Sequence, residues 1–151
     1  MVRDAETGAL HPADMQTFKA FVPELFAGDI QVDMIPFEPL LDSSDLNPDN
    51  WRQMAHVVQD NYDAYDGFVI LHGTDTMAYS ASALSFMFDN LCKPVVFTGS
   101  QLPVGVLRSD AKENLLTAIE IAAAYDTDGK AIVPEVTLFM DGELYRGNRA
   151  T

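Results

Sequence analysis

Gly67-Phe-Val-Ile-Leu-His72, running directly into Gly73-Thr-Asp-Thr76, is the stretch that decides the fold. An apolar run with no polar alternation reads as a short strand covered on both faces, because a strand with one wet face would alternate. Gly73-Thr74-Asp75 then forms a turn, and a helix is predicted from about Thr76 to Leu91. A second buried strand follows in Pro94-Val-Val-Phe-Thr98, completing a strand-helix-strand unit.

The same alternation extends in both directions. Upstream, Asp14 to Glu24 has helical spacing, with Phe18, Phe21 and Leu25 on one side, and Ile30 to Pro36 alternates apolar and polar as a strand does. Asn47-Pro48-Asp49 opens a helix that should run to about Asp60: a side-chain acceptor at the N-cap, proline at the first helical position, an acid in the first turn. Downstream, Ser109-Asp110 is predicted to cap a helix from Ala111 to Ala124, with Glu113 placed to answer Asp110. Val136 to Met140 reads as a strand, Asp141-Gly142 as a hairpin turn and Glu143 to Tyr145 as the returning strand. Units of roughly 30 residues of this kind specify a layered α/β/α domain with a mostly parallel sheet and helices on both faces. Ligands of such sheets bind at the carboxyl ends of the strands. The turns at 42–45, 72–76 and 98–103 are therefore where chemistry belongs. The chain shows no strong first strand and stops at Arg146 to Thr151 without a closing helix, so the domain reads as incomplete at both ends.

Composition sets the outer limits. With 151 residues, 48% hydrophobic and 21% charged, the chain has the make-up of one globular domain rather than a disordered or repetitive one. No apolar run approaches the ~18 residues that span a bilayer, and Met1 to Gly8 lacks the apolar stretch of a secretory signal. The single cysteine, Cys92, leaves no internal disulfide to form and fits a reducing cytoplasm. Nine basic residues against 23 acidic ones give a net charge of −14, which repels phosphate backbones; neither nucleic acid nor anionic membrane is an expected partner.

Two turns carry the polar chemistry. His72-Gly-Thr-Asp-Thr76 gathers hydroxyls, a carboxylate and free backbone N–H groups at a helix start, an arrangement that either caps the helix or holds a polar substrate and stabilises an oxyanion. Asp42-Ser-Ser-Asp45 places two hydroxyls and two acids after a strand, either as a solvated turn or as a grip for the charged ends of an amino acid. His11, His56 and His72 lack metal-ligand spacing, and neither a phosphate-binding glycine loop nor a GxSxG elbow is present.

The run from Asp66 to Ser80, DGFVILHGTDTMAYS, closely resembles the second signature of bacterial L-asparaginases. The resemblance continues through Ala81 to Phe86, Lys93 to Pro103, Arg108-Ser-Asp110 and Leu144 to Arg149, with Asp42 to Asp45 at the corresponding upstream distance. It is nearly continuous from about Ile35 to Thr151, looser over residues 1 to 34, and favours the cytoplasmic type I branch. The resemblance implies the amino-terminal asparaginase domain, without the carboxyl-terminal one. It also implies hydrolysis of L-asparagine to L-aspartate and ammonia through a threonine-bound acyl-enzyme, with no metal or organic cofactor. By the same resemblance Thr74 is the second catalytic threonine and Asp75 its partner, holding the substrate's α-amino group. Asp42, Ser43 and Ser44 line the substrate pocket, and the backbone around Ser100 flanks it. Glutamine hydrolysis, an aminoacyl-tRNA amidotransferase role and a non-catalytic amino-acid binding module stand as alternatives. Members of the family assemble as homodimers or homotetramers. The family's first catalytic threonine would fall just before Met1 and its catalytic lysine just after Thr151, so the chain alone is expected to be inactive. Residues 1 to about 10 resemble the remainder of the family's lid.

Overall fold

A computed structural model describes residues 2–3, 10–11, 15–26, 28–39, 41–102 and 107–151. Two short strands, β1 (Val2–Arg3) and β2 (Leu10–His11), pair antiparallel ahead of the helix α1 (Met15–Phe21). The main body then runs α2 (Pro48–Asp60), β3 (Phe68–Leu71), α3 (Met77–Met87), β4 (Val95–Thr98), α4 (Ala111–Ala122), β5 (Val136–Met140) and β6 (Glu143–Arg146). The sheet order is β3-β4-β5-β6, with β3, β4 and β5 parallel and β6 antiparallel to β5. This is the α/β architecture expected, with the antiparallel strand confined to one edge.

The layers follow from strand alternation. On β4, Val95 and Phe97 point to one face, where Met54 and Val58 of α2 and Met77, Ala81 and Leu84 of α3 cover them. Val96, between them, points to the other face and meets Ala118 and Ala122 of α4. All four β4 side chains are buried, and each large aliphatic or aromatic one stabilises the fold by about 1.5–3 kcal/mol. A smaller cluster, Val22 and Leu25 with Leu115 and Ile119 of α4, extends that second face.

The start of α2 is built as its sequence predicts. Asn47 Oδ1 accepts from the Asp49 amide at 2.9 Å, Asn50 Oδ1 accepts from the Asn47 amide at 2.9 Å, and Pro48 occupies the first turn, where its missing N–H costs nothing. At the far end of the sheet Asp141 (φ 53°) and Gly142 (φ 78°) both take the left-handed conformation of a two-residue hairpin turn.

Four expectations need correction. Ile30 to Pro36 form no strand: no described strand pairs with them. Their alternation is nonetheless real, since Ile30, Val32 and Met34 pack against the Leu115–Ile119 cluster while Gln31, Asp33 and Ile35 are exposed. The pattern reported a buried face, not a hydrogen-bond partner. Strand β3 is half-buried rather than fully covered, with Leu71 exposed, because β4 is its only described neighbour and it forms one edge of the sheet. Helix α3 ends at Met87, not Leu91: Phe88 turns extended and Asn90 left-handed (φ 55°), which folds Phe88 and Leu91 onto the core. Their apolar spacing imitates a further helical turn. Finally, Asp110 does not cap α4 through its side chain. Ser109 Oγ accepts from the Ala111 amide at 3.2 Å instead, and the Asp110 carboxylate turns toward residues 101 and 102.

Candidate active site

The carboxyl ends of β3 and β4 lie side by side, with Leu71 opposite Thr98 and the His72 amide donating to Thr98 O at 2.9 Å. The turn after β3, Thr74–Thr76, is a single 3-10 turn leading into α3. The turn at Ser43–Asp45, far upstream in the chain, packs directly against it. Ser43 Oγ donates to Asp75 Oδ2 at 3.1 Å, and Thr76 Oγ1 donates to Ser43 O at 2.6 Å. The approach is close enough to need a glycine: a Cβ on Gly73 would lie 2.2 Å from Ser43 Oγ, although the Gly73 backbone (φ −69°, ψ 148°) suits any residue. Gly99, just past β4, is equally constrained, with a Cβ there 2.4 Å from His72 O.

Across these two turns the polar groups have distinct states. Ser43 is buried, whereas Asp42, Ser44 and Asp75 are exposed and Thr74 is half-buried. Asp42 Oδ1 accepts from the Ser44 amide at 2.9 Å and from Ser44 Oγ at 2.8 Å, which holds its carboxyl below the usual carboxylate range. Asp42 and Ser44 thus lock each other into a tight turn and present Ser43 to Asp75. The Thr74 hydroxyl has no hydrogen-bond partner among the described residues, so both its proton and its lone pairs are available to a ligand.

Behind the turn is a support that the linear sequence did not disclose. His72 Nδ1 lies 2.6 Å from Gly73 O, a carbonyl that can only accept, so Nδ1 carries the proton. Nε2 of the neutral ring then accepts from Ser80 Oγ at 2.9 Å, and Ser80 Oγ accepts from Trp51 Nε1 at 3.0 Å. Burial disfavours the charged imidazolium and lowers the His72 pKa, and the bond to Gly73 opposes this only in part. Trp51 on α2, Ser80 on α3 and His72 at the end of β3 therefore fix the Gly73 peptide from below. Trp51 lies 21 residues before His72 and Ser80 lies 8 after it, so only the fold joins them.

The whole chain, residues 1–151, matches the model for the amino-terminal domain of asparaginases. The chain belongs to the asparaginase family. It is 57% identical over 115 residues to L-asparaginase 1 of Escherichia coli K12, covering 76% of this chain and 32% of that protein. It is more distantly similar to a Glutamyl-tRNA(Gln) amidotransferase component of Pyrococcus abyssi, 39% identical over 142 residues, 93% of this chain and 30% of that one. The crystal structure of L-asparaginase I from Vibrio cholerae superposes with a TM-score of 0.82 at 50% identity, over 93% of this chain and 41% of that chain. This asparaginase domain thus spans about a third of the length of its Escherichia coli relative (32%), and the type I resemblance read from its motifs is borne out.

Of the six residues singled out in the asparaginase sequence, five converge. Asp42, Ser43 and Ser44 belong to one turn and Thr74 and Asp75 to the other, and the two turns are bonded through Ser43 and Asp75 and through Thr76 and the Ser43 carbonyl. Ser100 lies two residues past β4, as Gly73 lies two past β3, but makes no side-chain hydrogen bond to the other five. His56 is on an exposed face of α2, and Cys92 is exposed on the surface. Among the described residues no group of three or more His, Cys, Asp or Glu side chains could hold a metal ion, and no helix is long and apolar enough to cross a membrane.

Proposed function

We propose that this domain carries the substrate-holding half of an L-asparaginase active site and works in a longer chain that hydrolyses L-asparagine to L-aspartate and ammonia. The observation that carries this reading is the 3.1 Å bond from Ser43 to Asp75, which brings two polar turns distant in sequence together beside the end of β3. A carboxylate is the natural mate of an ammonium group, so Asp75 receives the substrate's α-amino group, and Asp42, Ser43 and Ser44 line the same end of the pocket. The Thr74 hydroxyl, unengaged among the described residues, acts on the reacting amide as the second catalytic threonine. A neutral hydroxyl is a weak nucleophile and needs a positioned base, which is why a carboxylate and further groups must surround it.

The chemistry is two-step acyl transfer: a threonine oxygen attacks the side-chain carbonyl, ammonia leaves, and water cleaves the resulting ester. In this reading the first threonine and the catalytic lysine come from chain outside residues 1–151, in the position of an added strand beside β3 and a segment after Thr151. The segment 30–37, which alternates in burial without a strand partner among the described residues, and the edge position of β3 support such a strand. The assembled enzyme is a cytoplasmic homodimer or homotetramer that needs no metal or organic cofactor. The similarity to an amidotransferase favours a second reading, action on aminoacyl-tRNA; the net charge of −14 opposes it. Ammonia release from L-asparagine, L-glutamine and aminoacyl-tRNA by the asparaginase-length chain separates these readings. Preference for either of the latter two would overturn the assignment.

A further inference from the structure

The backbone leaving β4 is held by the start of α4 in an unusual way. Asn114, buried in the first turn of that helix, donates from Nδ2 to Gly99 O at 3.0 Å and to Asp110 Oδ2 at 2.9 Å. Asp110 accepts from the Gln101 amide at 3.1 Å on both oxygens and from the Leu102 amide at 3.2 Å. Ser109 Oγ donates to Leu102 O at 3.0 Å. Arg108, left-handed at φ 66°, turns the chain so that 109 and 110 come back over 101 and 102.

Two features mark this as more than loop closure. An aspartate in the N-cap position ordinarily caps its own helix, yet Asp110 gives up that bond and spends its carboxylate on the 101–102 amides. Burial works to raise the Asp110 pKa, but the bonds from the Gln101 and Leu102 amides and from Asn114 outweigh it and leave it lowered, so the group serves as a carboxylate. The bonds also fall on both sides of one residue, at the Gly99 carbonyl and the Gln101 amide. That residue is Ser100, which has no side-chain bond of its own among the described residues and sits where these neighbours put it.

We propose that Asp110 and Asn114 are specificity-determining positioning residues, which clamp Gly99 and Gln101 and thereby fix Ser100 at the pocket wall that the β4 turn supplies. The inference rests on the functional reading above. Asp75 anchors one end of the substrate, so the set of the 99–101 backbone decides how long a side chain fits before its amide meets that wall. Asparagine and glutamine differ by one methylene, a difference worth about 10–200-fold when the wall is rigid. A wall that yields loses that discrimination without losing the catalytic groups.

The test is Asp110→Asn in the asparaginase-length chain. Asn114→Asp, which deletes the donor to Gly99 O, serves as a second variant should the first fail to fold. Asp126→Asn is the matched control: Asp126 Oδ1 also accepts two loop amides, from Asp128 and Lys130 at 2.9 Å, far along the chain from the pocket. Hydrogen exchange at the Gln101 and Leu102 amides should accelerate in Asp110→Asn. The ratio of kcat/KM for asparagine over glutamine should fall about tenfold, through KM for asparagine more than kcat, while Asp126→Asn leaves the ratio unchanged. Faster exchange with an unaltered ratio overturns the proposal, as does an equal fall in the control. No turnover of either amide by the unsubstituted chain would instead remove the functional reading, and the selectivity claim with it.

Discussion

Replacing Gly73 with alanine tests whether contact between the two turns holds the pocket together. The added Cβ would sit 2.2 Å from Ser43 Oγ and 2.7 Å from Ser43 Cβ, against the roughly 3.5–4.0 Å at which non-bonded carbon atoms rest. About 1 Å of separation must therefore be created. Turning the Ser43 hydroxyl aside does not relieve the clash, because Ser43 Cβ is itself too close and the buried Ser43 backbone is tied to Thr76 through its carbonyl. Overpacking of this kind costs about 1–3 kcal/mol. The backbone conformation suits alanine, so the substitution also removes unfolded-state freedom and recovers about 0.4–1 kcal/mol. The net expectation is a loss of roughly 1–2 kcal/mol, on the order of 2–8 °C in melting temperature for a domain of this size, with the Ser43–Asp75 bond broken. Gly67→Ala provides the comparison: its Cβ would lie 2.2 Å from Ala122 O, a similar clash at the opposite end of β3. Urea unfolding and L-aspartate titration of both variants, in the asparaginase-length chain, give the answer. Both should lose stability, and only Gly73→Ala should lose ligand affinity out of proportion. Unchanged stability and affinity in Gly73→Ala would refute the claim that the turns touch as described.

Asp75→Asn should weaken binding of amino-acid ligands about a hundredfold, because the ammonium loses its charge-assisted partner; calorimetric titration with L-aspartate measures it. Thr74→Val should abolish turnover while leaving the urea midpoint within experimental scatter, since that hydroxyl has no described partner to lose. His72 predicts a pH dependence: its folded pKa lies below the ordinary value of 6.5, so the unfolded chain takes up the proton first. Its contribution to stability is full above about 6.5 and is lost as pH falls through the lower folded value. Urea midpoints at pH 7.5 and 5.0 should differ less in His72→Asn than in the parent, and an equal difference would exclude His72 as a source.

The fold was legible where local chemistry and tertiary environment agree. Asn47-Pro48 opens α2 because cap and proline act within one turn, and Val95 to Thr98 is a buried strand because an unbroken apolar run has few other homes. Residues 30–37 misled because alternation encodes which side is wet, whereas a ladder depends on a neighbour that local sequence does not specify. The end of α3 was hidden because Phe88 and Leu91 reach the core from an extended turn at the spacing a helix would use. At the site, the meeting of the two turns was expected only from the family resemblance, because Ser43 and Asp75 lie 32 positions apart and no local pattern joins them. His72 and Ser80 lie within the signature stretch, but nothing in the sequence tied either of them to Trp51, which reaches Ser80 from 29 positions away. Asp110 showed its character only as a cap, the role that the folded chain gives to Ser109.

Steady-state ammonia release is the direct test of whether Thr74 and Asp75 act on L-asparagine. The asparaginase-length chain, its Thr74→Val and Asp75→Asn variants and the isolated 151 residues should be assayed with L-asparagine and L-glutamine side by side. The parent should show a higher kcat/KM for asparagine, both variants should lose turnover while retaining their fold, and residues 1–151 alone should release no ammonia. Near-normal turnover in either variant, or faster hydrolysis of glutamine than of asparagine, would contradict that assignment.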